Sequence, residues 1–258
     1  MKNLLSMKTP VLALFISLVA FGACVSNKQT QPSTDYTQLV NPFIGTDFTG
    51  NTYPGAQAPF GMVQLSPDNG LPGWDRISGY FYPDSTIAGF SHTHLSGTGA
   101  GDLYDISFMP VTLPYQEAEA PLGIYSKFSH ADEEASAGYD INVELTATER
   151  CGIQRYTFPE GESAVFLNLK KAMNWDFTND SYIEIIDSCT IQGYRFSEGW
   201  ARDQHVYFRT RFSKPFASVE MDTTAIALKG KRVGTAYIAG FNFDTEKGEQ
   251  IVLSTALS

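Results

Sequence analysis

The stretch Tyr139-Asp140-Ile141-Asn142-Val143-Glu144-Leu145-Thr146-Ala147 decides the fold class of this chain. Apolar or aromatic residues alternate strictly with polar ones along it. Successive side chains of an extended chain point to opposite faces, so this alternation predicts a strand with one buried face. The same pattern returns at Val206, Phe208 and Phe212, and again at Tyr237, Ala239, Phe241 and Phe243.

Shorter runs rich in β-branched and aromatic residues surround these segments. They are Ile153 to Phe158, Ala164 to Leu169, Tyr182 to Ile186, Cys189 to Phe196 and Ile251 to Thr255. Glycine, proline, aspartate and asparagine separate them at intervals typical of strands, and no segment has the period of a long amphipathic helix. The pattern predicts an all-β fold in which antiparallel sheets pack face to face as a β-sandwich, and it excludes a doubly wound fold.

Composition and charge limit the classes of partner. The 258 residues are 43% hydrophobic and 18% charged, which excludes a disordered chain. The formal net charge is -10, and no basic run follows residue 8. We therefore expect no nucleic-acid partner and no electrostatic attraction to an anionic membrane surface.

The N-terminus has the pattern of an exported protein. Two lysines precede an apolar run from Val11 to Phe21, which is too short for a membrane span and typical of a signal peptide. The run ends in Phe21-Gly22-Ala23-Cys24, which resembles a bacterial lipobox. We expect residues 1–23 to be removed, Cys24 to be lipidated and residues 24–35 to form a polar tether. The mature protein would be a membrane-anchored lipoprotein, periplasmic or associated with the outer membrane. An ordinary cleavable signal with an incidental cysteine is the alternative.

Two ordinary thiols follow the leader, at Cys151 and Cys189. An oxidising compartment permits a disulfide between them but does not require one. Cysteines are often buried singly as small apolar residues, so we expect two free thiols.

Residues 41–105 differ from the rest because glycine, proline, asparagine and aspartate crowd them. Loops dominate there, and loops on a rigid sheet commonly carry binding residues. Within them, His92 and His94 would face the same side of an extended segment. Three interpretations stay open: a metal site that lacks a recognisable third ligand, hydrogen bonds to sugar hydroxyls, or a pair satisfied by neighbouring backbone.

The loop Gly73-Trp74-Asp75-Arg76 combines an indole, a carboxylate and a guanidinium, which are the groups that bind sugars. A buried tryptophan with a surface ion pair is the alternative. For Trp175 and Trp200, which lie among predicted strands, packing in the core or at the sheet rim is favoured. For Asp102 and Asp105, a role in capping and turns is favoured over catalysis.

Short motifs rich in glycine and aromatic residues run through the chain. They are Asn41-Pro42-Phe43-Ile44-Gly45-Thr46, Gly50-Asn51-Thr52-Tyr53-Pro54-Gly55-Ala56, Ala58-Pro59-Phe60-Gly61-Met62-Val63 and Gly89-Phe90-Ser91-His92-Thr93-His94-Leu95-Ser96-Gly97-Thr98-Gly99. Together with Arg155-Tyr156-Thr157-Phe158-Pro159 and Phe212-Ser213-Lys214-Pro215-Phe216, they resemble the N-terminal domain of glycoside hydrolase family 92. The resemblance covers about residues 36–258, which we take as the sandwich domain.

This resemblance implies an exo-acting, inverting and calcium-dependent α-mannosidase that acts on α-mannosides such as those of N-glycans. Family members join the sandwich to an (α/α)6 barrel, and the mannose pocket forms between the two domains. Carried onto this sequence, the contacts fall at Trp74, Asp75, Arg76, His92 and His94. The acid, the base and the calcium ligands are expected mainly in the barrel, so no catalytic or metal residue is assigned to this chain.

We therefore expect the chain to be inactive alone and to need the barrel as its partner. One alternative is a complete, noncatalytic glycan-binding lipoprotein that uses the same loops. A metalloenzyme built on His92 and His94 is the third hypothesis.

Overall fold

The computed structural model describes residues 36–97, 99–114, 126–127, 136–137, 141–170, 175–221, 226–228, 231–234 and 238–258. The predicted signal peptide, Cys24 and the tether lie outside these residues. Backbone contacts divide the chain into residues 1–40 and 41–258. The described part of the first unit holds a 3-10 helix at Tyr36–Leu39. All strands described below belong to the second unit.

One antiparallel sheet has seven strands among the described residues, in the order β1-β2-β4-β5-β10-β17-β14. They are β1 (Ala56–Gln57), β2 (Gln64–Asp68), β4 (Gly89–Ser91), β5 (Ser107–Thr112), β10 (Gly161–Asn168), β14 (Ser218–Met221) and β17 (Ile238–Thr245).

The second antiparallel sheet has nine described strands, in the order β15-β16-β11-β12-β13-β18-β9-β8-β7. They are β7 (Ser136–Ala137), β8 (Ile141–Ala147), β9 (Cys151–Phe158), β11 (Phe177–Asp187), β12 (Thr190–Glu198), β13 (Gln204–Phe212), β15 (Ile226–Leu228), β16 (Lys231–Gly234) and β18 (Glu249–Leu257).

Two smaller elements complete the described chain. The strands β3 (Thr86–Ile87) and β6 (Ser126–Lys127) form a separate pair, and a 3-10 helix covers Trp74–Arg76. The described residues contain no α-helix. None of their helices has the length and apolar character needed to cross a membrane.

The core lies between the two large sheets. Phe212, from β13 of the nine-stranded sheet, has its ring centroid 5.2 Å from that of Phe241 in β17 and 6.4 Å from that of Phe108 in β5. Both partners belong to the seven-stranded sheet. The inward residues of β13 alternate with exposed ones, as expected of a strand with one face on a core. The predicted all-β sandwich is confirmed.

The strand assignments follow the sequence pattern closely. Each predicted run coincides with a strand, except that Leu169 and Cys189 lie one residue outside β10 and β12, and the inward residues Ile141, Val143, Val206 and Phe208 are buried. Tyr139 and Tyr237 lie outside the described residues. Cys151 and Cys189 are separate free thiols, as predicted.

Candidate functional site

The loop between β2 and β3 is held to the sandwich by one buried asparagine. Asn69 donates from its backbone nitrogen to Gly79 O at 2.8 Å and from Nδ2 to Thr86 O at 2.7 Å. Its Oδ1 accepts from the backbone nitrogen of Phe81. The amide therefore satisfies backbone groups on both arms of the loop, which fixes the loop without a strand.

His94 lies against the same loop. Its Nε2 is 2.7 Å from Asp68 Oδ1, and its Nδ1 is 2.6 Å from Gln64 O. Each ring nitrogen lies within hydrogen-bond distance of an oxygen atom, which fixes the orientation of the ring. Ser91 Oγ lies 3.2 Å from Nε2. Gly79 packs so closely here that an added Cβ would come within 2.4 Å of Asp68 Oδ1.

Two tyrosines surround the His94 ring. The ring centroids are 5.0 Å apart for Tyr53 and 5.7 Å apart, edge to face, for Tyr104. The Tyr104 hydroxyl donates to Ile77 O, directly after the Trp74–Arg76 helix. His94 and Tyr104 thus support the loop that carries the predicted sugar-binding residues.

His92 lies in the core and has different partners. Its Nδ1 donates to Ile106 O at 2.6 Å, and its Nε2 is 3.5 Å from the amide nitrogen of Gln154. Burial lowers the pKa of His92 to about 4, against the raising effect of the Ile106 bond, so the ring is neutral at neutral pH. Gly152 packs on it, since an added Cβ there would lie 2.6 Å from the ring.

Of the three interpretations of the histidine pair, the structure agrees with the one in which neighbouring backbone groups bond both rings. Both rings are buried, and each Nδ1 bonds a backbone carbonyl. Direct contact with a sugar would require the surrounding loops to move, so that role stays a prediction. Among the described residues, no group of three or more His, Cys, Asp or Glu side chains is arranged to hold a metal ion.

Arg76 serves to brace the loop. It makes a bidentate pair with Asp84, from Nε to Oδ2 at 2.6 Å and from Nη2 to Oδ1 at 2.5 Å. Its guanidinium carbon also lies 4.6 Å from the centroid of the Phe81 ring. The neighbouring Asp75 is half-buried, and Trp74 is 52% exposed. The indole is therefore the group of this motif that the loop presents to solvent.

A second indole joins Trp74 at the surface. Trp175, which is 48% exposed, has its ring centroid 6.2 Å from that of Trp74, with 59° between the planes. We call this pair the aromatic edge. Trp200 is 74% exposed in the loop after β12. Trp175 precedes β11 and Trp200 follows β12, so both lie at the sheet rim, which was one of the two positions that the sequence favoured, and neither is buried in the core.

Acidic residues near the edge are engaged inside the protein. Asp105 forms a buried ion pair with Arg195, Nη1 to Oδ1 at 2.6 Å, and Asp176 binds the same guanidinium through Oδ2 at 2.8 Å. Asp102 accepts from the backbone nitrogen of Ala201 at 3.0 Å. Asp105 is therefore not the simple turn residue that the sequence favoured.

Comparison with known proteins identifies the fold family. The model of the glycosyl hydrolase family 92 N-terminal domain matches residues 39–258. The chain belongs to this family. The resemblance noted in the short motifs is thereby confirmed.

Solved family 92 relatives share the sandwich. The family GH92 α-mannosidase BT3965 from Bacteroides thetaiotaomicron, solved in complex with mannoimidazole, is 34% identical with a TM-score of 0.77, and the match covers 86% of this chain and 32% of that one. The inverting mannosidase BT2199 from the same organism is 25% identical with a TM-score of 0.68, over 89% and 32%. An "uncharacterized secreted glycosidase" of Arthroderma benhamiae is 29% identical over 160 residues, which is 57% of this chain and 20% of that protein. The chain thus spans about a third or less of these relatives.

In this family 92 domain, residues 41–105 contain long loops between the short strands β1 to β4, and the sequence did not predict the contacts that hold these loops. Trp74 and Trp175 are 101 positions apart, so their contact follows from the fold alone. Arg195 was missed, although a signal existed: it shares the inward period of β12 with Ile191, Gly193 and Ser197.

Proposed function

We propose that this chain is the N-terminal β-sandwich domain of an exported α-mannosidase and that its aromatic edge lines a mannoside-binding cleft. Family membership and the mannosidase activity of two solved relatives support the substrate class. The observation that carries the proposal is the exposed contact between Trp74 and Trp175. Indoles pack against the C–H faces of sugars, and a solvent-facing pair on a braced loop offers that surface.

Catalysis is proposed to come from a second domain. Inverting hydrolysis needs a protonated carboxyl and a carboxylate roughly 6.5 to 9.5 Å apart, with a water between them. Near the edge, Asp68 is bound to His94, Asp84 to Arg76 and Asp105 to Arg195. These carboxylates stabilise loops, so the acid and the base are assigned to the (α/α)6 barrel.

Calcium belongs to the same proposal. Because the described residues offer no cluster of metal-binding side chains, we assign the calcium ligands to the barrel as well. When bound there, the ion would polarise sugar hydroxyls as a Lewis acid. We propose no calcium ligand among the described residues of this chain.

The test compares binding and hydrolysis. We expect the chain alone to bind methyl α-mannoside in calorimetry with a Kd of about 1 mM and to leave a nitrophenyl α-mannoside intact. Trp74→Ala and Trp175→Ala should each weaken binding about tenfold or more, because each removes one sugar-packing surface. Trp200→Ala is the matched control, since it removes an exposed indole outside the pair.

Three results would count against the proposal. A folded chain that binds no α-mannoside, or that responds equally to Trp200→Ala, would reject the role of the aromatic edge. Hydrolysis by the chain alone would reject the assignment of catalysis to another domain. If this chain and any longer protein that contains it bound α-mannosides without hydrolysing them, the noncatalytic glycan-binding alternative would be favoured.

A further inference from the structure

A buried cluster of three charged side chains lies next to the aromatic edge in the fold. Arg195 of β12 donates from Nη1 to Asp105 Oδ1 at 2.6 Å and from Nη2 to Asp176 Oδ2 at 2.8 Å, and the three side chains are 0 to 2% exposed. Its Nε donates to Thr178 Oγ1 at 2.9 Å. Asp105 Oδ2 also accepts from Gln204 Nε2 at 2.9 Å. The guanidinium is thus fixed in one orientation by partners on several segments.

The cluster is linked to the two chain segments that carry the indoles of the aromatic edge. Asp176 directly follows Trp175 in the chain. Asp105 directly follows Tyr104, whose hydroxyl donates to Ile77 O at the end of the helix that carries Trp74. One guanidinium therefore connects the segment of the first indole to the segment of the second.

The segment at Asp105 is held in an unfavourable backbone conformation. Leu103, Tyr104 and Ile106 have positive φ values of 82°, 63° and 53°. Such conformations of bulky residues persist only where surrounding contacts determine them. The bonds from Arg195 to Asp105, and from Thr93 Oγ1 to Asp105 Oδ2 at 2.7 Å, supply contacts at the centre of this segment.

We propose that Arg195 is a positioning residue for the candidate glycan site, because it holds Asp105 and Asp176 and thereby sets the two indoles of the aromatic edge against each other. The proposal rests on the proposed function only for the statement that the aromatic edge binds a glycan. A cluster that merely stabilised the fold would change stability when removed, but it would leave the two indoles in contact.

Charge balance makes the contact with Asp176 sensitive to pH. Two carboxylates share one guanidinium, and Asp176 Oδ1 and Asp102 Oδ1 have no hydrogen-bond partner among the described residues. Asp102 is a further carboxylate near this segment, since a Cβ added at Gly199 would lie 2.4 Å from Asp102 Oδ1 and 3.0 Å from the Cα of Asp176. Burial raises the pKa of Asp176 to about 6, with the Asp105 charge in the same direction and with Arg195 and Ser197 opposing it. The pairing with Arg195 is therefore complete only above about pH 6.

The experiment measures the exciton couplet of the Trp74 and Trp175 indoles in the far-ultraviolet circular dichroism spectrum of the full chain. The spectrum of Trp175→Phe, which lacks the indole pair, serves as the baseline. We expect Arg195→Met and Asp176→Asn to lose most of the couplet while keeping a cooperative melting transition. Arg155→Met is the matched control, because it removes an exposed guanidinium–carboxylate pair with Glu144 on the same sheet. In the native chain the couplet should fade as the pH falls through about 6, and Asp176→Asn should abolish that dependence.

The positioning role would be overturned if Arg195→Met or Asp176→Asn folded and kept the full couplet. It would also be overturned if the native couplet stayed constant from about pH 7 to about pH 5. A native spectrum equal to that of Trp175→Phe would show that the two indoles are not coupled, and it would overturn the proposal too. If Arg195→Met does not fold, Asp176→Asn and the native titration decide. No sugar enters this measurement, so its failure and the failure of mannoside binding are separate results.

Discussion

Gly79 lies where the Trp74 loop packs against Asp68 and His94. Its φ is +91°, and a Cβ there would meet Asp68 Oδ1 at 2.4 Å and the His94 ring at about 3 Å. We expect Gly79→Ala to lower the free energy of unfolding by about 3 kcal/mol, since it adds a collision with the buried Asp68 and His94 side chains to backbone strain. Urea unfolding measures the loss.

Gly97 provides the matched control for that substitution. Its φ is +87°, yet nothing lies within 4 Å of an added Cβ. Gly97→Ala should therefore cost only the backbone strain, about 1 kcal/mol. Equal losses for the two variants would show that packing against Asp68 and His94 does not hold the loop.

His92 and Asp176 give opposite contributions to the pH dependence of stability. The folded pKa of His92 is about 4, against 6.5 in the unfolded chain, so the unfolded chain binds the extra proton between these values and stability falls as the pH falls. The folded pKa of Asp176 is about 6, against 3.8, so the folded chain binds the extra proton and stability rises as the pH falls. The two effects oppose each other between about pH 4 and about pH 6.

Removing the ionisable group of Asp176 should therefore reveal the effect of His92 on the pH dependence of stability. Asp176→Asn should make the free energy of unfolding rise with pH across that window more steeply than in the native chain, by up to about 1.4 kcal/mol per pH unit. Urea unfolding at a series of pH values measures the slope. Asp244→Asn, at an exposed position of β17, should leave it unchanged. Parallel curves for native chain and Asp176→Asn would contradict the buried, proton-binding state of Asp176.

At the scale of the strand, the sequence predicts those strands in which apolar and polar residues alternate regularly. β8, β13 and β17 were found because their inward residues alternate with outward ones over seven or more positions. β2 and β4 were not predicted, since they are short and lie among Gly, Pro and Asp residues. Their presence shows that pairing within a large sheet can impose strand structure on a segment with turn composition.

The same limit applies to the site. Arg195 follows the inward period of β12, which predicts a buried position but not its partners, because Asp105 lies 90 residues earlier. The exposure of Trp175 and Trp200 depends on where their loops meet the ends of the strands. Contacts between distant segments are set by sheet order and register, and a single sequence contains no direct signal for either.

At the scale of the whole molecule, we propose that lipidation of Cys24 anchors the protein to a membrane. A chain with a formal net charge of -10 is not drawn to anionic lipid, so attachment to a membrane would depend on acyl chains, each buried methylene contributing about 0.8 kcal/mol. We expect Cys24→Ser to move the exported protein from the membrane fraction to the soluble fraction and to abolish labelling by an alkyne fatty acid. Cys151→Ser, which changes a thiol within β9, should remain membrane-bound and labelled. A native protein that is soluble and unlabelled would instead establish an ordinary cleavable signal, with Cys24 incidental, and the aromatic edge would then act on glycans away from the cell surface.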